Sequence, residues 1–200
     1  MFNYELEHIE LQDIIPICTY EYHDLISSTS DRAKELVIAP LTKFPVLIVA
    51  ANQTSGRGRG NKKWWSEKGC LMMSIGVELC SDYFPADRNF LPEVSPRVGR
   101  MLLEVLRKYI PPQDNINLKY PNDVYVNNKK IAGILIESPT PKTAVIGIGA
   151  NINNPAKEAP PEIKQNITSL IDLTGKITNI QNIITEFITK FFDVKNLMKQ

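Results

Sequence analysis

A chain of 200 residues, 43% hydrophobic and 22% charged, is long enough to fold around a sizeable core. Its formal net charge of +1 argues against a dedicated nucleic-acid binder, which carries a strong basic excess. No stretch approaches the roughly 18 apolar residues of a membrane span. Met1–Glu10 contains Glu5 and Glu7 but no Lys or Arg, unlike a secretory or transit peptide. The expectation is one cytoplasmic domain over 1–200 with no membrane partner. Cys18, Cys70 and Cys80 are odd in number and lack metal-ligand spacing, so they read as reduced, buried thiols.

In chain order, Leu6 to Glu21 is irregular or weakly strand-like. Ser27-Ser28-Thr29-Ser30 offers capping hydroxyls for a short helix over Asp31–Ile38. Val46–Ala51 is a buried-strand pattern, and Cys70–Leu79 is a second one. Residues 81–95, with Pro85 and Pro92, read as loop, and Ser95-Pro96 opens a helix. Val98, Met101, Leu102, Val105, Leu106 and Tyr109 give that helix an apolar stripe, and Pro111-Pro112 ends it. Ile116–Tyr120 is a strand. A hairpin follows, Val124–Val126 and Lys130–Glu137 joined by Asn127-Asn128, which tolerate positive φ. Thr143–Gly149 is a further strand, residues 154–166 are proline-rich loop, and Thr178 with Gln181 forms a capping box for a helix reaching Phe192. Strands outnumber helices, so the fold class is α+β with a mixed sheet flanked by helices. The absence of regular βαβ alternation disfavours a Rossmann fold.

Chemistry concentrates in two places. Gln53-Thr54-Ser55-Gly56-Arg57-Gly58-Arg59-Gly60 follows the first buried strand and runs into Asn61-Lys62-Lys63-Trp64-Trp65. Alternate glycines allow close backbone approach, and the arginines supply forked donors for phosphate or carboxylate. The spacing is neither a Walker loop nor a dinucleotide fingerprint. By itself the loop is a solvated surface stretch or an anion cradle.

The second place is Lys119-Tyr120-Pro121-Asn122-Asp123 with Lys129–Glu137. Lys119 and Lys130 sit beside apolar strands, where an ammonium can meet developing negative charge; an ordinary surface position is the alternative, weaker for these two than for Lys129 and Lys142. Asn122-Asp123 is a turn, or Asp123 handles a proton. Gly133 inside a strand marks a close approach. Trp64-Trp65 is plain core or a cover for a flat ring. His8 and His23 lack partners at metal or triad spacing.

Taken together in this order, the motifs resemble those of biotin–protein ligases. The segment Gln53 to Gly69 is similar to that family's glycine–arginine loop, Lys119-Tyr-Pro-Asn-Asp123 to its Lys-Trp-Pro-Asn-Asp motif, and Lys130-Ile-Ala-Gly-Ile-Leu-Ile-Glu137 to its lysine-bearing strand. Ser28-Thr29 and Gly147-Ile-Gly-Ala-Asn151-Ile-Asn153 fall at either end, so the resemblance covers roughly residues 20–190. It implies a catalytic fold related to class II aminoacyl-tRNA synthetases. It also implies a two-step reaction: biotin and MgATP give biotinyl-5′-AMP and pyrophosphate, then a lysine of a biotin-carrier domain takes the acyl group and AMP leaves.

Carried over by position, Ser28, Thr29, Gln53, Gly56, Arg57, Lys130 and Gly133 would bind biotin. Arg57, Arg59, Trp64, Asn122 and Asn151 would hold ATP or the adenylate. Lys119 and Lys130 would neutralise the reacting phosphorus, Arg57 and Arg59 would hold phosphate and close the loop over the adenylate, and Asp123 would orient or deprotonate the acceptor lysine. No metal ligand is assigned.

Departures are visible. Tyr120 stands for the usual Trp, Ser30 for a frequent Asn, and Gly60-Asn61-Lys62-Lys63 for an arginine-bearing stretch. No DNA-binding domain is expected before residue 20, hence no DNA partner, and the small C-terminal β domain of most relatives is expected to be absent or truncated. A monomer or homodimer is expected. Two rivals stand beside it. One is a lipoate–protein ligase of the same fold, whose Arg-Arg-x-Ser-Gly-Gly-Gly-like loop is lacking here. The other is a small nucleic-acid-binding module using the basic loop with its two tryptophans.

Overall fold

The computed structural model describes residues 17–60, 62–79 and 91–193. Its frame is a seven-stranded sheet in the order β1-β2-β3-β7-β6-β5-β4. The strands are β1 (Thr19–His23), β2 (Val46–Ala50), β3 (Cys70–Glu78), β4 (Ile116–Lys119), β5 (Asp123–Val126), β6 (Lys129–Thr140) and β7 (Thr143–Asn151). β1 and β2 run parallel and every other neighbouring pair is antiparallel, so the sheet is mixed, as the sequence predicts.

The helices divide the two faces. α1 (Thr29–Ile38) lies on one face, where Ala33 and Val37 pack with Val46, Ile48 and Val145. The larger core is on the other face, beneath α2 (Leu91–Arg107) and α5 (Ile180–Phe192). Val98, Leu102, Val105 and Leu106 of α2 are buried there with Ile184, Phe187, Ile188 and Phe191 of α5. Each such side chain contributes about 1.5–3 kcal/mol of transfer free energy, which makes this face the main source of stability. Central strands β2 and β3 are covered on both sides. Their sequences are therefore unbroken apolar runs rather than alternating ones.

Several boundaries differ from the sequence expectations. α2 begins at Leu91, so residues 91–95 are helix rather than loop and Pro96 lies inside it. Lacking an N–H, Pro96 forgoes only the bond that would run to the carbonyl of residue 92, one turn back. The cap of α5 is Asn179, which accepts from Gln181 N and Asn182 N. Thr178 is otherwise engaged: its N–H donates to Asn153 Oδ1 and its carbonyl accepts from Asn153 Nδ2. The stretch 154–166 holds a short 3-10 turn (Ala156–Glu158) and α3 (Pro161–Lys164), and α4 (Leu170–Thr174) follows it. α4 is capped by a reciprocal Ser169–Asp172 box. The Asn127-Asn128 turn forms as predicted, both residues having positive φ, 48° and 64°. Cys70 is buried, and desolvation pushes its thiol up to about 12. Cys18 is exposed just ahead of β1, contrary to the expectation for it. Cys80, His8 and the predicted 6–16 segment lie outside the described residues. Among the described residues no helix is long and apolar enough to cross a membrane.

Candidate active site

The sheet face that carries α1 is bare at one place. Pairing of β6 with β7 sets Gly133 against Gly149 and Leu135 against Gly147. Strand alternation therefore puts all three glycines on this face. A Cβ at Gly147 would stand 2.5 Å from Ser30 Oγ, and one at Gly149 2.5 Å from the Trp64 ring. The floor is open because these positions have no side chain. Above it is a cavity of about 550 Å3, walled by the start of α1, the glycine–arginine loop and the β5–β6 hairpin.

One end is lined with hydroxyls and an amide. Gln53 Oε1 accepts from Thr29 N at 2.7 Å and from Thr29 Oγ1 at 3.1 Å, and Gln53 Nε2 donates to Ser66 Oγ at 3.2 Å. Ser74 Oγ donates to Thr29 Oγ1 at 2.9 Å and lies 3.1 Å from Ser30 Oγ. Ser28 caps α1 by accepting from Asp31 N. Ser28 thus serves as the predicted cap, and the first turn of α1 also opens onto the cavity. Such a chain of satisfied groups is rigid and directional, suited to a polar, uncharged ligand head.

The opposite wall is charged. Lys130 Nζ lies 2.7 Å from Asp123 Oδ1 and 5.6 Å from the centroid of the Trp64 ring. The backbone of Lys130 is fixed by a graft of segment 166–168 onto β6: Lys130 N donates to Asn166 O and Thr168 N to Lys130 O. Asn122 lines the cavity while its Nδ2 donates to Ile134 O, tying the β4–β5 turn to β6. Trp64 also lines it, and its buried Nε1 has no hydrogen-bond partner among the described residues.

The glycine–arginine loop is itself a small hairpin. Trp64 N donates to Gly56 O, Gly58 N donates to Lys62 O, and Arg57 bridges Lys63. Gly56 is buried outside the cavity lining, where a side chain would collide with Ser66 Oγ and the Trp64 carbonyl. Arg59 at the tip and Lys62 and Lys63 on the returning arm are exposed and face the cavity mouth. Among the described residues the Arg59 guanidinium has no hydrogen-bond or ion-pair partner, whereas Arg57 donates to Asp31 and Glu137.

Besides Gly56, two further predicted residues are not brought to the cavity. Lys119 is exposed on the outer strand β4, its Nζ 4.9 Å from the Tyr125 ring centroid. It lies opposite Asp123 in register but beyond the lining. Asn151 is buried at the end of β7. Its Nδ2 donates to Thr168 O and its Oδ1 accepts from Asn154 Nδ2, so it braces the 151–154 corner. Sequence reasoning missed Asp31, Lys34 and Ser74. The Asp31–Lys34 pair has the i,i+3 helical spacing that could have signalled a charged face. Among the described residues no group of three or more His, Cys, Asp or Glu could hold a metal ion.

Comparisons with known proteins converge on one family. Residues 22–153 match the profile of the biotin/lipoate A/B protein ligase family. The bifunctional ligase/repressor BirA of Bacillus subtilis is 30% identical over 175 residues, covering 85% of this chain and 51% of the relative. The chain thus spans about half the length of these curated relatives. The biotin protein ligase of Aquifex aeolicus, solved with biotin and ATP, superposes with TM-score 0.73 at 31% identity, covering 92% of this chain and 72% of that one. That of Leishmania major, solved with biotinyl-5-AMP, gives TM-score 0.69 at 28% identity, covering 88% and 74%. By the matched profile, and by likeness in both sequence and fold to biotin protein ligases, the chain belongs to the biotin/lipoate A/B protein ligase family, as a biotin–protein ligase catalytic domain.

Proposed function

We propose that this chain activates biotin with ATP and passes it to a lysine of a biotin-carrier domain. The observation that carries the reading is the arrangement of one cavity: a neutral polar network at one end, and Lys130 paired with Asp123 at the other. Biotin offers the matching halves, an uncharged ureido ring and a carboxylate tail. The ring would face Thr29, Gln53 and the Ser30–Ser74 pair, with Ser28 and Gly133 shaping the walls and Gly56 letting the loop pack closely on Ser66 and Trp64 behind them.

In the first step a biotin carboxylate oxygen attacks the α-phosphorus of ATP, the bond to the β-phosphate bridge breaks, and pyrophosphate leaves. Mg2+ enters with ATP as part of the substrate. Two anions must approach each other, and a half-buried ammonium opposes their repulsion far better than water does. Lys130 is that ammonium, with Arg59 arriving from the loop tip and Lys119 held near the rim. Trp64 and Asn122 would flank the nucleotide end, and Asn151 would support it from behind. In the second step the acceptor amine attacks the acyl carbon and AMP departs. Asp123 orients the amine and takes its proton.

The expected acceptor is the carrier domain of a biotin-dependent carboxylase. In keeping with this, a Mycobacterium tuberculosis relative 34% identical over 131 residues is named a biotin–[acetyl-CoA-carboxylase] ligase. We read residues 1–200 as a single catalytic domain that works as a monomer or homodimer without DNA. The test is ATP–pyrophosphate exchange with biotin and lipoate side by side. Exchange should depend on biotin, and equal or greater exchange with lipoate would transfer the assignment to the lipoate branch of the family.

A further inference from the structure

Arg57 and Arg59 are two residues apart in one loop, yet their guanidinium groups are in opposite electrostatic states. Arg57 Nη1 donates to Asp31 Oδ1 of α1 at 2.5 Å, and Nη2 donates to Glu137 Oε1 of β6 at 2.8 Å. Lys34 Nζ spans the same two carboxylates, at 2.7 Å and 3.2 Å. Two cations and two anions cancel, so the cluster adds no net positive charge to the cavity. An arginine whose fork is already filled by carboxylates is poorly placed to hold a phosphate.

We propose that Arg57 is a positioning residue, a latch that pins the stem of the glycine–arginine hairpin to α1 and β6 before any ligand arrives. The stem lies where the latch acts. Gly58 N donates to Lys62 O at 2.8 Å and Trp64 N to Gly56 O at 3.0 Å, on either side of Arg57 and its bridge to Lys63. α1 carries Thr29, and β6 carries Lys130 and Gly133. The latch therefore ties the loop to the two elements that line opposite ends of the cavity. Only the tip, with Arg59, is left free to respond to a ligand.

Glu137 shows that the tie works in both directions. Its Oε2 is buried and has no hydrogen-bond partner among the described residues, so the carboxylate depends on the two cations at Oε1. Removing Arg57 leaves that buried charge with Lys34 alone, and removing Glu137 frees half of the Arg57 fork. Arg57 and Glu137, 80 positions apart in the chain, then act as one unit.

The first experiment needs no substrate. Amide hydrogen exchange of Gly58 and Trp64, corrected for intrinsic rates, is measured in wild type, Arg57→Gln, Glu137→Gln and the double variant. Each single substitution should speed exchange at both amides by about tenfold, and the double variant should add little to either. Asp31→Asn, on a different element, should move the same amides in the same direction. Unchanged amides in a folded Glu137→Gln protein overturn the latch.

A second experiment rests on the proposed ligation. Pre-formed biotinyl-adenylate should escape faster from both single variants, with the KM for ATP unchanged. An Arg57→Gln protein with raised KM for ATP and wild-type amide protection would make Arg57 a phosphate ligand, and the latch proposal would fail. If wild type forms no adenylate, the functional reading fails while the amide measurement still decides the latch.

Discussion

Lys130 Nζ and Asp123 Oδ1 are 2.7 Å apart, across the β5–β6 hairpin and directly beside Gly133. A Cβ at Gly133 would lie 3.1 Å from Lys130 Nζ and 3.3 Å from Asp123 Oδ1, so the glycine gives both groups their room. The cation assigned to the first half-reaction and the carboxylate assigned to the second thus hold each other in place. Removing either one should affect its own step first.

Lys130→Ala should slow adenylate formation on the order of 10²–10³-fold, the size of a lost electrostatic contact to a charged transition state. The protein should still fold, because the Lys130 head is half-exposed and the apolar neighbours Ile131 and Ala132 remain in the core. Single-turnover formation of biotinyl-5′-AMP and a thermal unfolding curve measure the two outcomes. Near-normal adenylation by a folded variant would reduce Lys130 to a structural partner of Asp123.

Asp123→Ala should form adenylate and transfer it slowly. The acceptor lysine, with an ordinary pKa of about 10.4, is mostly protonated at neutral pH and needs a carboxylate to place it and receive its proton. Pre-forming the adenylate and then adding carrier domain isolates this step. Equal losses of adenylation and transfer would contradict the division of labour.

Arg59→Gly should still make adenylate but release it sooner. It removes the one arginine of the loop whose charge is not already spent on a carboxylate, and it loosens the tip. Leaked adenylate would label lysines on bystander proteins, and timed filtration of the pre-formed complex gives the rate. Wild-type retention would show that the tip does not close over the product.

Gly149→Ala should close the cavity floor. Its Cβ would lie 2.5 Å from Trp64 Cε2 and 2.8 Å from Nε1, well inside contact distance, so the indole must move. Overpacking of this kind costs about 1–3 kcal/mol of stability. Calorimetric titration should find biotin binding weakened or lost in a protein that still unfolds cooperatively. Undiminished binding would mean that the floor at Gly149 does not bound the ligand.

The latch should survive mild acid. Burial alone would raise the Asp31 carboxyl, but its hydrogen bonds to Lys34 and Arg57 outweigh that and hold it below its ordinary value of 3.8. The groups facing it are Lys34 on its own helix, Arg57 on the loop and, through them, Glu137 on β6. A depressed carboxyl stabilises the fold above its ordinary range and loses that contribution as pH falls through the lowered value. The stability difference between wild type and Asp31→Asn should therefore stay constant down to about pH 5 and shrink only below the ordinary value. A difference that collapses already near neutrality would contradict this.

Much of this was legible in the chain. Unbroken apolar runs marked the buried strands β2 and β3, and Asn127-Asn128 marked the hairpin because few other residues accept positive φ at two successive positions. The ordered motifs located most of the lining. What was hidden depends on register. Nothing local to Gly133, Gly147 and Gly149 says that they share one face and form a floor; strand pairing decides it. Nothing in Arg57 says that its fork is filled, because Asp31 and Glu137 arrive from 26 and 80 positions away. Lys119 and Lys130 look equivalent beside their strands. Only the sheet order shows that one is on the outer strand and the other at the cavity. Pro96 within α2 likewise reads as a start signal because it so often is one.

The most direct measurement combines both half-reactions. The chain, biotin and MgATP are incubated with a biotin-carrier domain, and the carrier's intact mass is followed beside a carrier whose acceptor lysine is replaced by arginine. The account predicts one biotinyl group on the intact carrier, none on the replaced one, and no gain when biotin is exchanged for lipoate. A carrier left unmodified while biotin-dependent pyrophosphate exchange proceeds, or one modified as readily with lipoate, would contradict it.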